Sequence, residues 1–162
     1  MPALADIVEN EVFNLDQVDQ NILVMLQNDG RSSASHIAQE IGMSVPAVTD
    51  RIKKLQDSGV IMGFTAILDH RKVGLDVSAF ITVISESSGH YSDVVREANK
   101  MPEVVQCFTT TGNGSHVLLV ITENTISLEK LLRTIQAWPG VMRTETQIVL
   151  SSYKSINALQ IS

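Results

Sequence analysis

The chain has 162 residues, a formal net charge of −6, 44% hydrophobic residues and 4% aromatic residues, so its length and composition predict one or two small domains with aliphatic cores. No apolar run approaches membrane-spanning length and no basic-then-apolar signal opens the sequence, which argues against a membrane or exported protein. A single cysteine, Cys107, excludes an internal disulfide and fits a reducing cytoplasm.

The first predicted helix begins at about residue 16. Residues 1–14 show no clear period, and we interpret them as an N-terminal arm. Asp16 and Asp19 are acidic residues in a first helical turn, where the helix dipole favours them. The apolar side chains that follow recur at helical spacing: Val18, Ile22, Met25 and Leu26. Asn28-Asp29-Gly30 ends this helix.

Two further short helices are predicted between Ser33 and Gly59. Ser33 and Ser44 are good N-caps, because a serine hydroxyl accepts a hydrogen bond from an unpaired backbone N–H. Gly42 suits the left-handed position after a helix, and Pro46 falls in a first turn, where its missing N–H costs nothing. The apolar stripe of the second of these helices consists of Val45, Val48, Ile52 and Leu55.

This arrangement is that of a helix-turn-helix whose second helix can enter a DNA major groove. Its predicted outward face carries Pro46, Ala47, Asp50, Lys53 and Lys54, with Thr49 and Arg51 on the flanks. Residues 44–54 contain three basic residues and one acidic residue, a local charge of +2 in an acidic chain. The alternative from these residues alone is an ordinary helix pair with a solvated cationic end.

A β-like run follows, at residues 60–69, and predicts a strand that leaves the helical unit. The polar stretch from Asp69 to Lys72 breaks this run, so we place a strand and linker at residues 63–76 after a helix-turn-helix domain at residues 15–62.

From Val77 to Leu150 the pattern predicts the order βαββαβ, and residues 151–162 are interpreted as a C-terminal tail. The run HVLLVIT contains five consecutive apolar residues, which suggests a strand covered on both faces. Helices on one side leave the other face of such a sheet open, so we expect it to pair with a second copy. A symmetric dimer would suit a pseudo-palindromic site with half-sites about 34 Å or a multiple apart.

Several segments together resemble the Lrp/AsnC family, the feast/famine transcription regulators of bacteria and archaea. They are LDQVDQNILVMLQNDGR at 15–31, IAQEIGMSVPAVTDRIKKLQDSGVI at 37–61, GFTAILD at 63–69, TTGNG at 110–114 and TETQIVL at 144–150. The resemblance implies an α+β protein with a winged helix-turn-helix of three helices and a ferredoxin-like βαββαβ domain of the RAM or ACT-like type. It implies no cofactor, double-stranded DNA as partner, and self-assembly into dimers and octamers or higher arrays.

The resemblance also implies the site residues. The DNA contacts of the family fall on Ser44, Pro46, Ala47, Thr49, Arg51, Lys53 and Lys54. Its effector region, for a small molecule such as an amino acid, falls on Gly112, Asn113, Gly114, Ser115 and His116. The family often carries Asp where this chain has Ser115, so we expect weak or absent binding of common amino acids and tighter binding in Ser115→Asp.

Catalysis is disfavoured by the sequence. Enzymes need a nucleophile with a base, a metal cluster or a phosphate-binding loop, and the GNG of residues 112–114 is too short for the last of these. We therefore predict a cytoplasmic, DNA-binding regulator that is not an enzyme and binds no membrane. The alternative is a free-standing amino-acid sensor whose helix pair mediates protein contacts.

Overall fold

The computed structural model describes residues 12–154 and 158–161, and the described chain forms two compact units. One unit contains the chain up to Ala66 together with the chain from Lys154 onward, and the other is Ile67–Tyr153. The boundary after Ala66 lies within the segment assigned to strand and linker. The arm assigned to residues 1–14 lies outside the described residues as far as Glu11, as do residues 155–157 and 162 of the tail.

The first unit contains three helices, α1 (Gln17–Asn28), α2 (Ala34–Ile41) and α3 (Val45–Asp57). Their starts are capped as the sequence predicts: Ser33 accepts from the backbone N–H of His36, and Ser44 from that of Ala47. Gly42 ends α2 at a φ of 68°, the left-handed conformation that glycine adopts without steric cost.

Seven buried apolar side chains from all three helices form the core of this unit: Ile22, Leu23, Leu26, Ile37, Ala38, Val48 and Leu55. Val45 was expected in the inward stripe, but it is exposed. It is the first residue of α3, and a helical side chain covers the turn N-terminal to its own position, which here lies outside the helix.

Lys154 and residues 158–161 belong to the helical unit. The side-chain amide of Gln27 on α1 donates to the Leu159 carbonyl at 3.2 Å and accepts from the Leu159 N–H at 2.6 Å. Ile161 packs against the core of the three helices. The tail therefore returns to α1 after the chain has completed the other unit.

The strand predicted over residues 60–69 is wrong for the single chain. This segment contains no strand, and its apolar side chains Met62, Phe64, Ile67 and Leu68 are exposed. A strand needs a neighbour that completes its backbone hydrogen bonds, and no described residue provides a ladder for this segment. A β-rich composition alone does not supply that neighbour.

The second unit confirms the βαββαβ order. Its elements are β1 (Val77–Ser85), α4 (Tyr91–Ala98), β2 (Val104–Thr109), β3 (His116–Thr122), α5 (Thr125–Gln136) and β4 (Val141–Ile148). The strands form one antiparallel sheet in the order β2-β3-β1-β4. The fold class is thus α+β, with a helical unit followed by a ferredoxin-like unit.

The two faces of this sheet differ in their exposure. On one face, side chains from β1 and β3 are buried beneath α4 and α5 in the core: Ala79, Ile81, Val83, Leu118 and Val120. On the opposite face Phe80 and Phe108 are exposed, while Val117, Leu119 and Ile121 are half-buried. The helices cover one face of β3, and cover on its other face stays a prediction that depends on pairing with a second copy. We call the other face the open face.

Candidate functional site

The outward surface of α3 is the first candidate site. Pro46, Thr49, Lys53 and Lys54 are exposed on it, and Val48 and Leu55 hold the opposite side in the core. The ammonium of Lys54 lies 5.6 Å from the centroid of the Phe13 ring, a weak cation–π contact that leaves the charge in solvent. This surface is cationic towards its C-terminal end, as the sequence predicts.

The N-terminal half of α3 presents small and polar groups. The Ser44 hydroxyl accepts from the Ala47 N–H at 3.4 Å, and the Thr49 hydroxyl donates to the Val45 carbonyl at 2.9 Å. Both hydroxyls thus make local contacts that orient them. Ala47 is half-buried, and its single methyl group adds little bulk to this surface. Such a surface can approach base edges closely.

Arg51 occupies a different environment from the other cations of α3. Its guanidinium is bonded to the Asp16 carboxylate and lies 2.9 Å from the Asp19 carboxylate, and both acids belong to the N-terminus of α1. The Asp19 side chain is 9% exposed and that of Arg51 is 33% exposed. Because two carboxylates already hold this guanidinium, a phosphate contact for Arg51 is not supported by the geometry. We call this group the Arg51 clasp.

The clasp also fixes the start of α1. Asp16 is the N-cap and accepts from the Asp19 N–H at 2.8 Å, while the Asp19 carboxylate accepts from the Asp16 N–H at 3.3 Å. This reciprocal pair is a capping box, and Arg51 joins it to α3. The hydrogen bond from Arg51 lowers the pKa of Asp16 below its ordinary value, and the same pairing raises the pKa of Arg51.

We expect Arg51→Gln to lower the unfolding midpoint of the protein at neutral pH by on the order of 5 °C. The substitution should also change how the unfolding midpoint depends on pH in the acidic range. The folded-state pKa of Asp16 is depressed, so the stabilisation is complete above the ordinary carboxyl pKa of about 3.9 and is lost as the pH falls through the folded value. Thermal unfolding of both proteins from neutral to acidic pH measures this.

Arg31→Gln is the matched control, because Arg31 is an exposed arginine of the same unit and the described residues give it no ion pair. It should leave both the midpoint and its acid dependence unchanged. Equal unfolding midpoints for Arg51→Gln and the wild type at every pH would show that the clasp does not contribute to stability.

The turn between β2 and β3 is the second candidate site. Gly112 adopts a φ of 102°, which an L side chain rarely tolerates, and Asn113 beside it is exposed. The Thr110 N–H donates to the Ser115 carbonyl at 3.0 Å and closes the turn. Of the five residues assigned to the effector region, Gly112 and Asn113 are the ones that solvent reaches freely.

Gly114 is needed for contact with β1. A Cβ at this position would lie 2.3 Å from the Thr82 methyl group and 3.2 Å from the Val83 carbonyl oxygen. The Ser115 N–H donates to that same carbonyl at 2.9 Å. The absence of a side chain at Gly114 therefore allows the turn to pack onto β1, a role different from the effector contact that the resemblance implies.

Ser115 and His116 point into the protein. The Ser115 side chain is buried, and its hydroxyl lies 2.7 Å from the Ser85 hydroxyl, 3.2 Å from the Val83 carbonyl and 2.9 Å from Nδ1 of His116. A hydroxyl has one proton to donate, so it donates to the carbonyl and accepts from its two other partners.

His116 is fully buried, with its ring edge-to-face against Tyr91 at a centroid distance of 5.1 Å. Burial lowers the pKa of His116. Its Nε2 has no hydrogen-bond partner among the described residues. A carboxylate at position 115 would therefore meet His116 Nδ1 first, and the geometry does not support the expectation that Ser115→Asp tightens binding of an ammonium group.

Sequence reasoning missed two features of these sites. It assigned Asp16 and Asp19 to the dipole of α1 and did not connect them to Arg51. It also assigned Ser115 and His116 to the effector region, although both side chains are buried. The alternation of β3 places His116 on the buried face, but it gives no signal that Ser115, the residue before it, is buried as well.

No helix in the described part of the chain is long and apolar enough to span a membrane. No group of three His, Cys, Asp or Glu residues among the described residues is arranged to hold a metal ion.

Comparison with known proteins gives two family matches. Residues 15–62 match a model described as winged helix-turn-helix DNA-binding, and residues 77–159 match one described as the Lrp/AsnC ligand binding domain. The HTH-type transcriptional regulator FL11 of Pyrococcus horikoshii is 38% identical over 147 residues, which cover 91% of this chain and 97% of that protein.

Two solved structures with bound amino acid are also similar. A transcriptional regulator of Neisseria meningitidis in complex with L-methionine has a TM-score of 0.84 and 28% identity, and the match covers 91% of this chain and 97% of that one. A feast or famine regulatory protein of Mycobacterium tuberculosis complexed with L-methionine has a TM-score of 0.83 and 32% identity, covering 88% and 96%.

Proposed function

The chain belongs to the Lrp/AsnC family of transcriptional regulators, and we propose that it controls transcription by inserting α3 into the major groove of double-stranded DNA. Its relatives are DNA-binding regulators, so its activity is regulation and not catalysis. The observation that carries the proposal is the surface of α3, where exposed Lys53 and Lys54 follow a small, polar N-terminal half.

The two halves of α3 have different roles in this proposal. Ser44, Pro46, Ala47 and Thr49 approach base edges, because recognition helices use their N-terminal residues for this purpose. Lys53 and Lys54 contact phosphates, which fix the register of the protein but carry no sequence information. Arg51 does not contact DNA in this proposal; through the Arg51 clasp it fixes the orientation of α3 relative to the N-terminus of α1.

We further propose that the open face of the sheet forms a symmetric dimer. Phe80, Leu119 and Ile121 line a shallow depression of about 440 Å³ on this face. Aromatic and aliphatic side chains that are grouped in this way and at least partly exposed are typical of protein interfaces. Members of the family oligomerise, and a dimer would present two copies of α3 to two half-sites. We propose that these dimers assemble further into an octamer or a larger array.

The proposed effector is a small molecule such as an amino acid, on the ground that two structural neighbours hold L-methionine. We place its site at Gly112 and Asn113 in the β2–β3 turn, supported by Gly114, Ser115 and His116 behind it. A site shared between dimers would couple occupancy to assembly, since a ligand shifts an equilibrium by its differential affinity for the two states. We place this activity in the cytoplasm, where DNA is accessible and Cys107 stays reduced.

Calorimetry with L-methionine examines the effector site. Asn113→Ala should weaken binding by about fivefold to tenfold, the value of one lost hydrogen bond. Asn99→Ala is the matched control, because Asn99 is an exposed amide at the end of α4 in the same unit. Equal affinities in all three proteins would place the site away from the turn.

Footprinting on genomic DNA fragments, with and without an amino-acid panel, examines the function as a whole. We expect discrete protected regions in phase with the helical repeat of about 10 base pairs, and protection that an amino acid alters. Uniform coating of all fragments, or no protection at low salt, would refute sequence-specific regulation by this chain.

A further inference from the structure

Asp50 lies at the centre of the outward face of α3. At about 100° per residue, it points away from the buried stripe of Val48 and Leu55, and it is exposed. It falls in the N-terminal half of a helix that spans Val45–Asp57. In a helix that enters the major groove by this face, the Asp50 carboxylate would be among the side chains closest to the bases.

Lys54, four residues further on, lines the same shallow depression as Asp50, but the two side chains form no ion pair. Among the described residues Asp50 takes part in no ion pair and no side-chain hydrogen bond. Arg51, its neighbour in the chain, is held by Asp16 and Asp19. Asp50 therefore brings a free negative charge to a surface that faces a polyanion.

Such a charge is unfavourable unless the DNA offers it a hydrogen-bond donor. Phosphates are anions, and the major-groove edges of guanine and the O4 atom of thymine are acceptors. The donors in this groove are the exocyclic amino groups of cytosine and adenine. Adenine presents its donor beside the N7 acceptor, which suits an amide better than a carboxylate, so cytosine is the base that fits Asp50.

We propose that Asp50 is a specificity-determining residue that accepts a hydrogen bond from the N4 amino group of one cytosine in each half-site. This inference rests on the proposed insertion of α3 into the major groove and adds the base that one of its residues selects. The same carboxylate disfavours guanine at that position, because the major-groove edge of guanine carries only acceptors. Its repulsion from phosphates also weakens binding to unrelated DNA.

The experiment is selection of bound sequences from a randomised DNA library by the full-length wild type, Asp50→Asn and Asp50→Ala. The wild type should enrich a motif with cytosine at one position per half-site. Asp50→Asn should shift that same position towards adenine, because an asparagine amide pairs with adenine N6 and N7. Asp50→Ala should lose the preference for cytosine at that position and keep the wild-type base preferences at all other positions.

Affinities for single sites give the size of the effect. Replacing the cytosine by guanine should weaken wild-type binding by about tenfold or more, and binding by Asp50→Ala by less than about threefold. Asp50→Asn should bind unrelated DNA more tightly than the wild type does, since a repulsive charge has been removed.

Asp57→Asn is the matched control. It removes the same charge from the same face of α3, but about 10 Å further along the helix and away from its N-terminal half. Its motif should equal that of the wild type. Wild-type motifs in both Asp50 variants would overturn the assignment of Asp50 while leaving DNA binding by α3 intact, whereas a wild type that enriches no motif would overturn the proposed function as well.

Discussion

Lys53→Ala combined with Lys54→Ala is expected to weaken binding to every DNA sequence by at least about tenfold at 0.15 M salt. Each phosphate contact releases counterions and contributes about 0.9 to the slope of log K against log salt concentration, so the loss of two contacts should flatten that slope by about 1.8. The ranking of preferred sequences should stay the same, because phosphate contacts carry no base information. Binding titrations on one specific and one unrelated duplex over a range of salt concentrations measure all three quantities.

Lys100→Ala combined with Lys130→Ala is the matched control, since it removes two exposed lysines of the sheet unit. The two double variants have the same net charge, so a general effect of charge would lower the DNA affinity of both by the same factor. If the two variants lose affinity equally, or if the Lys53/Lys54 variant keeps the wild-type salt slope, α3 is not the phosphate-binding surface.

Leu119→Asp is expected to raise the dissociation constant of the proposed dimer by on the order of a thousandfold. Leu119 is half-buried at the centre of the open face and pairs across the sheet with Phe80. In the monomer an aspartate there stays in contact with water. In a symmetric dimer two such aspartates would be buried, because an isologous interface contains the same surface patch from both subunits. Sedimentation velocity on the full-length protein measures the change.

Ile126→Asp is the matched control for this variant. Ile126 is an exposed apolar residue in the first turn of α5, where a carboxylate suits the helix dipole. It should sediment like the wild type. Phe80→Asp provides a second disruption of the open face, on β1. Folded Leu119→Asp and Phe80→Asp proteins that both sediment as wild-type dimers would move the interface to another surface.

Local features of the fold were predictable from the sequence. Capping and helix termination depend on a few neighbouring residues, so Ser33, Gly42 and Ser44 marked the ends of α2 and α3 correctly. The βαββαβ order followed from the change between helical and alternating periodicity, which is also local. The outward cations of α3 followed from the same periodicity, because the stripe around Val48 and Leu55 fixes what lies opposite.

The contacts that the sequence did not reveal join residues far apart in the chain. Arg51 meets acids 35 and 32 positions before it, and Ser115 bonds to Ser85 at a separation of 30. Periodicity assigns such residues to a face but does not identify their partners. The close approach of Gly114 to Thr82 likewise depends on how the β2–β3 turn packs onto β1. The strand assigned to residues 60–69 failed for a related reason, since a strand is defined by its neighbour.

The return of the tail to α1 has a consequence for protein engineering. Residues 67–153 are connected to the helical unit at both ends, because the chain enters after Ala66 and the segment from Lys154 onward rejoins α1 through Gln27 and Leu159. A chimaera that exchanges the sensing module of this regulator for that of a relative therefore needs two junctions. A single crossover in the linker would give the helices a foreign tail and remove Ile161 from their core.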